Sequence, residues 1–160
     1  RGVKYLNIEA DLMKRIAMTR IMGGEPVWFG CDVGKHMKRE LGLWDARLFD
    51  YRRVYDTPFD MGKAERLVYH EAVASHAMLF TGVDVVDGMA RRWRVENSWG
   101  EDNGRKGFFL MNDSWFDEHV LAIAAPRSAL PKRLQAACDL DPVVLPPWDP
   151  MGALARGAFG

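Results

Sequence analysis

His76 heads one strand-like apolar run of this 160-residue chain and Asn97 closes the next, and their types and spacing could do chemistry. They stand in Ser75-His76-Ala77-Met78 and in Trp93-Arg94-Val95-Glu96-Asn97-Ser98-Trp99-Gly100. An imidazole can take a proton from a thiol and return it to a leaving amine. A neutral amide can hold the ring's second nitrogen without adding the charge of a carboxylate. Together they form the base and the orienter of a Cys-His-Asn hydrolase. The two lie 21 positions apart. A hairpin from 75–86 to 92–99 sets His76, at the start of one strand, beside Asn97, at the end of its antiparallel neighbour. Trp99 could then cover their hydrogen bond and exclude water, which strengthens it. Alone, a histidine at a strand start is usually structural and an asparagine beside a glycine-rich loop is usually a turn residue. Their combination in this order, with Trp-Gly following, points to chemistry.

The third member is harder to place. Cys31 ends the apolar run Val27-Trp28-Phe29-Gly30-Cys31 with no glutamine upstream, and reads as a buried strand cysteine. Cys138 sits among alanines and reads as packing. No cysteine of this chain therefore reads as the nucleophile, and whether this piece can perform the chemistry stays open. A start at Arg1 rather than Met fits a fragment or a processed piece.

The elements that must position the pair can be read from periodicity. Residues 8–22 form an amphipathic helix, with Ile8, Leu12, Ile16 and Ala17 on one face, Met13 beside them, Asn7 as N-cap and Gly23-Gly24 as its stop. Residues 27–31 make a short buried strand. Residues 32–60 read as surface loop with short helical turns, and 63–73 as a helix with Leu67, Val68 and Val73 on one side. From His76 the period changes to that of a strand, with Asp87-Gly88 as a turn and 93–99 as the next strand. A polar, glycine-rich loop follows over 100–107, then a strand at 108–111. Asn112-Asp113-Ser114 enters a helix, 120–125 is a last strand, a short helix lies near 132–138, and a proline-rich tail ends the chain. Helix first and antiparallel sheet later indicate an α+β fold.

Composition bounds the function. The chain is 48% hydrophobic and 28% charged, ordinary for a globular domain of this length. Its 22 basic residues balance 22 acidic ones, which disfavours nucleic-acid binding. Arg52-Arg53 and Arg91-Arg92 read as solvated faces. No apolar run nears the roughly 20 residues that span a bilayer, and no signal peptide opens the chain. Two cysteines make no disulfide framework, so a reducing, cytoplasmic setting is expected. Cys31, His36, His70, His76 and Cys138 lack the paired spacings of a structural zinc site, so no metal or other cofactor is expected.

At this point the sequence resembles the C-terminal portion of the bleomycin hydrolase and aminopeptidase C family of papain-like cysteine peptidases. The resemblance rests on Val27-Trp28-Phe29-Gly30-Cys31-Asp32-Val33-Gly34-Lys35, Lys63-Ala64-Glu65-Arg66-Leu67, His76-Ala77-Met78 and residues 93–102. It closes on Trp148-Asp149-Pro150-Met151-Gly152-Ala153-Leu154-Ala155. It implies a papain-like fold, mainly its sheet-rich half with flanking helices, as a partial domain over 1–145 and a C-terminal arm over 146–160. It implies His76 as catalytic base and acid, Asn97 as its orienter, and Trp99 as the shield of their bond. Cys31 is then not the nucleophile, which the resemblance places upstream of this chain in a Gln-x-x-x-Cys-Trp type segment. Peptides are the implied substrates, shortened from their amino termini, with the arm near Ala155 lying in the cleft and the enzyme assembling as a hexamer. Relatives end near the residue matching Ala155 or Arg156, so the extension Gly157-Ala158-Phe159-Gly160 puts the exopeptidase preference in question. Without its helical half, the cleft wall around His76 and Trp99 is expected to be abnormally exposed. A non-catalytic papain-like assembly module is the alternative reading.

Overall fold

The computed structural model describes residues 3–152. Ala155 and the extension 157–160 therefore lie outside the described residues. The architecture is one sheet with helices packed against it. Helix α1 (Ala10–Met22) is followed by strands β1 (Val27–Cys31), β2 (Met37–Lys38) and β3 (Leu43–Trp44). Helices α2 (Tyr51–Tyr55) and α3 (Lys63–Val68) lead to the long strands β4 (His76–Val86) and β5 (Met89–Glu96). Then come β6 (Phe108–Asn112), α4 (Asp113–His119) and β7 (Val120–Ile123), and the short helix α5 (Lys132–Gln135) precedes the tail. The strands run in the order β2-β3-β6-β5-β4-β1-β7. Every pairing is antiparallel except that of β3 with β6.

Alternation builds the core. Val27, Phe29 and Cys31 of β1, Met78 and Phe80 of β4, and Trp93 and Val95 of β5 are all buried. Phe29 stacks on Phe80 at 3.8 Å, and Phe80 in turn meets Trp93 and Phe116. Helix α4 inserts Trp115 and Phe116 into this layer, and α1 adds Met13 and Ala17. Three tryptophans are fully buried, and a buried indole needs a partner for its N–H. Each has one: Trp93 Nε1 donates to Asp113 Oδ1 at 2.9 Å, Trp44 Nε1 to the Val33 carbonyl at 3.1 Å, and Trp115 Nε1 to the Lys35 carbonyl at 2.8 Å. The indoles therefore tie the loop after β1 and the start of α4 to the sheet while filling the core.

Several expectations need correction. The first helix begins at Ala10, with Glu9 rather than Asn7 at its N-cap, and it buries Met13, Ile16 and Ala17 while Leu12 is only half-buried. The expected helix over 63–73 stops at Val68, because His70 turns into the left-handed region at φ 59°. Val68 points to solvent. Within 32–60 the chain makes a small hairpin, β2 with β3, beside the one short helix α2. β5 starts earlier than expected, at Met89, and ends at Glu96. The two-residue turn Asp87-Gly88 has φ of 52° and 75°, the left-handed pair that suits the strand twist.

His119 closes α4 and is buried with its Nδ1 unpartnered among the described residues. Its ring stacks at 5.8 Å on that of His36. Burial, and then the charge of Arg66, pull its pKa down to about 3. A histidine held neutral when folded and free to protonate when unfolded costs stability as pH falls. The loss starts near pH 6.5, its ordinary value, and continues down to about 3. Over that window His119 is expected to add up to about 1.4 kcal/mol per pH unit to the pH dependence of unfolding. Urea titrations of wild type and His119→Phe at several pH values test this, and parallel pH profiles for the two proteins would exclude it.

Candidate active site

His76 and Asn97 extend the inward-facing rows of β4 and β5 by one position past the packed core. His76 follows the spacing of Met78 and Phe80, and Asn97 that of Trp93 and Val95. Both are half-buried. The structure brings them together: His76 Nε2 and Asn97 Oδ1 are 2.9 Å apart. The backbone N–H of Ser98 donates to the same Oδ1 at 2.8 Å. A backbone N–H needs an acceptor, so the amide oxygen faces both groups, and Nε2 must be the ring nitrogen that carries hydrogen. In the neutral ring Nδ1 is then the one with a free lone pair. Asn97 Nδ2 is buried without a partner among the described residues.

Trp99 stacks on His76, with ring centroids 5.3 Å apart and an interplanar angle of 26°. It also rests against Trp44 and the edge of Phe109. The expected exposure of this wall is not seen, since Trp99 is half-buried by those aromatics. Among the exposed large apolar side chains, Phe49, Tyr51, Tyr55 and Phe59 meet ring to ring.

The backbone beneath the pair is pinned from both ends. Ser75 N donates to the Cys31 carbonyl at 2.9 Å, and Val33 N donates to Ser75 Oγ at 3.0 Å. On the other side Asn97 N donates to the Gly107 carbonyl at 3.1 Å. The tail reaches this region too: Ala74 N donates to the Pro150 carbonyl at 3.1 Å, two residues before His76.

Neither cysteine approaches a reactive setting. Cys31 pairs with His76 in the sheet register, but its thiol is fully buried and donates to the His76 carbonyl at 3.7 Å. Burial, and then the neighbouring Asp32, push that thiol well above its ordinary value, the reverse of what a nucleophile needs. Cys138 is half-buried in a short 3₁₀ turn, with its thiol on the Leu134 carbonyl.

Two residues that sequence reasoning missed complete the wall. Arg39, at the corner of the β2–β3 hairpin, lies 4.9 Å over the Trp99 ring and donates from Nε to Asn103 Oδ1 at 2.6 Å. Asn103 in turn donates from Nδ2 to the Trp99 carbonyl at 2.6 Å. Only the Asn-Gly pair at 103–104 hints at this in the sequence, as a turn.

A model of the Peptidase C1-like family matches residues 1–152. The chain belongs to that family. It is 46% identical over 160 residues to bleomycin hydrolase of Homo sapiens, an alignment covering 98% of this chain and 35% of that protein. It is 46% identical over 156 residues to aminopeptidase C of Lactococcus lactis subsp. cremoris, covering 97% and 36%. The solved structure of PepW from Lactobacillus rhamnosis HN001 superposes with a TM-score of 0.89 at 44% identity, covering 96% of this chain and 35% of that one. The chain thus spans about a third of the length of these relatives, matching their C-terminal part. The fold is the α+β papain-like one expected from the sequence, present as a partial domain.

The loop over 97–107 depends on a close approach. A Cβ added at Gly104, where φ is 60°, would lie 2.4 Å from the Phe108 carbonyl oxygen. Gly88, at φ 75°, has nothing within 4 Å. Gly104→Ala is therefore expected to cost about 2 kcal/mol or more of unfolding free energy, and Gly88→Ala about 1 kcal/mol. Denaturant unfolding of the two variants compares them, and equal losses would show that the turn yields freely.

Proposed function

We propose that this chain is the histidine- and asparagine-bearing part of a cysteine aminopeptidase, with its nucleophilic cysteine on a segment upstream. The observation that carries the reading is the 2.9 Å bond between His76 Nε2 and Asn97 Oδ1, which fixes the ring and leaves Nδ1 free. An incoming thiol gives its proton to that Nδ1, forming a thiolate beside an imidazolium. The thiolate attacks the peptide carbonyl, and the imidazolium proton leaves with the departing amine. Water then releases the acyl group with His76 as base. Asn97 holds the ring in register through both halves, and Trp99 keeps water from the Nε2–Oδ1 bond.

Removal of residues from peptide amino termini is the finer part of the proposal. Its support is the name of the Lactococcus lactis relative and the contact of Pro150 with Ala74, which carries the tail toward the site. A tail carboxylate near Ala155 that meets the substrate's ammonium group, assembly as a hexamer and a cytoplasmic setting belong to the same reading. The two free cysteines suit a reducing compartment. Among the described residues no helix is long and apolar enough to cross a membrane.

The 160-residue chain alone is expected to leave an amino-acid amide substrate intact, and joining it to the upstream segment is expected to give turnover. In the joined protein His76→Ala should lower kcat by about a hundredfold or more. Asn97→Ala should lower it less, and Cys31→Ser should leave it near wild type. Turnover by the isolated chain that survives Cys31→Ser and Cys138→Ser would overturn the upstream nucleophile.

A further inference from the structure

We infer that Arg39 and Asn103 are positioning residues for the His76–Asn97 pair, acting through Trp99. The inference rests on the catalytic reading above for its consequence, but its geometry stands by itself. Two turns distant in sequence abut beside the pair. One is the β2–β3 corner at 39–42, closed by a bond from Gly42 N to the Arg39 carbonyl at 3.0 Å. The other is the loop over 97–107. They meet so closely that a Cβ on Gly42 would lie 2.6 Å from the Gly104 Cα. Leu110 N donates to the Gly42 carbonyl at 2.8 Å, continuing the contact into β6.

Across this joint the side chains form one chain of contacts. Arg39 Nε donates to Asn103 Oδ1, Asn103 Nδ2 donates to the Trp99 carbonyl, and the Arg39 guanidinium covers the Trp99 ring. The Asn103 backbone is held as well, its N–H on the Gly100 carbonyl at 3.3 Å and its carbonyl accepting from Gly107 N at 3.0 Å. Gly107 is the residue whose carbonyl accepts from Asn97 N. Asn103 therefore touches both ends of the loop that carries the orienter. The indole it fixes is the one that stacks on His76.

The arrangement has a consequence for water as well as for position. The Arg39 guanidinium holds the Trp99 ring through a cation–π contact, and Asn103 holds the backbone of the same residue. Together they set how long Trp99 stays over the Nε2–Oδ1 bond.

The test uses the protein in which this chain is joined to its upstream segment, with Arg39→Gln, Arg39→Lys and Asn103→Ala. None of these touches the reacting atoms. The His76 Nε2–H proton is observed by NMR of ring-labelled histidine, its signal assigned by loss in His76→Gln. Arg39→Gln and Asn103→Ala are each expected to speed its exchange with water severalfold, because Trp99 then leaves the Nε2–Oδ1 bond more often. Arg39→Lys, which keeps a cation over the ring, is expected to restore much of the protection. Asn103→Ala is expected to lower kcat severalfold with KM within twofold, because it loosens Trp99 without removing a charge. Nε2–H exchange unchanged in Arg39→Gln, or equal losses in kcat and KM in Asn103→Ala, would overturn the inference. The parent reading fails separately, by turnover that survives His76→Ala, and in that case the exchange rate still decides whether Arg39 acts on His76.

Discussion

The register of β4 on β5 is the constraint on which the rest of the site depends. The Asp87-Gly88 turn starts it by pairing Val86 with Met89, and at the far end Leu79 pairs with Glu96. Between them the hairpin carries two irregularities, one between Phe80 and Gly82 and one between Asp84 and Val85. The first gives β4 an extra residue and the second gives β5 one, so they cancel. The end of the hairpin keeps the register that the two-residue turn began. Continued past Leu79 and Glu96, that register would set Asn97 opposite Met78 and His76 opposite Trp99. A slip of one residue would turn both polar side chains to the outer face and break the stack. The buried row of Met78, Phe80, Trp93 and Val95 resists such a slip, because it would bring apolar surface out along the whole hairpin.

The aromatic core transmits that register to the parts that flank it. Trp44 is fully buried, contacts Trp99, Phe109 and Trp115, and anchors its N–H on the Val33 carbonyl. Through it the β2–β3 hairpin is fixed against the loop after β5, although the two are remote in sequence. Asp113 serves the opposite end, accepting from Trp93 Nε1 and from Lys14 Nζ at 2.7 Å. That half-buried ion pair joins α1 to α4, and its value lies in geometry more than in net energy. The site is thus held by packing on one side and by polar ties to the helices on the other.

Much of this was legible in the sequence where the period was clean. Val27–Cys31 and His76–Val86 have the bounds expected for them, and the His76–Asn97 juxtaposition followed from a hairpin argument alone. What failed has physical causes. The bulge residues shift the inward row of β4 from Phe80 to Val83, which blurs the two-residue alternation. The helix over 63–73 ended early because His70 takes a left-handed backbone that no local composition announces. The two-residue strands β2 and β3 are too short for periodicity to show, and the side chains of Arg39 and Asn103 meet across 64 positions. Contacts of that kind belong to the tertiary fold, and only Gly42 and Gly104 leave a trace of them.

Cys31 shows why register alone does not make a site. It is the cross-strand partner of His76, and a reading that stopped at pairing would join the two as thiol and base. The same pairing, however, places Cys31 in the inward row with Val27 and Phe29, where the chain has no water to offer a thiolate. Its hydrogen goes to the His76 backbone carbonyl, and burial then raises the cost of ionisation. A reactive cysteine needs the opposite environment, partly exposed and facing a cationic ring. The free lone pair of His76, fixed on Nδ1 by the Asn97 oxygen, therefore has no acidic partner in Cys31. The wall built by Asn97, Trp99, Asn103 and Arg39 holds the ring by its Nε2 and by its face, and under the proposed function the thiol that meets Nδ1 is a different one.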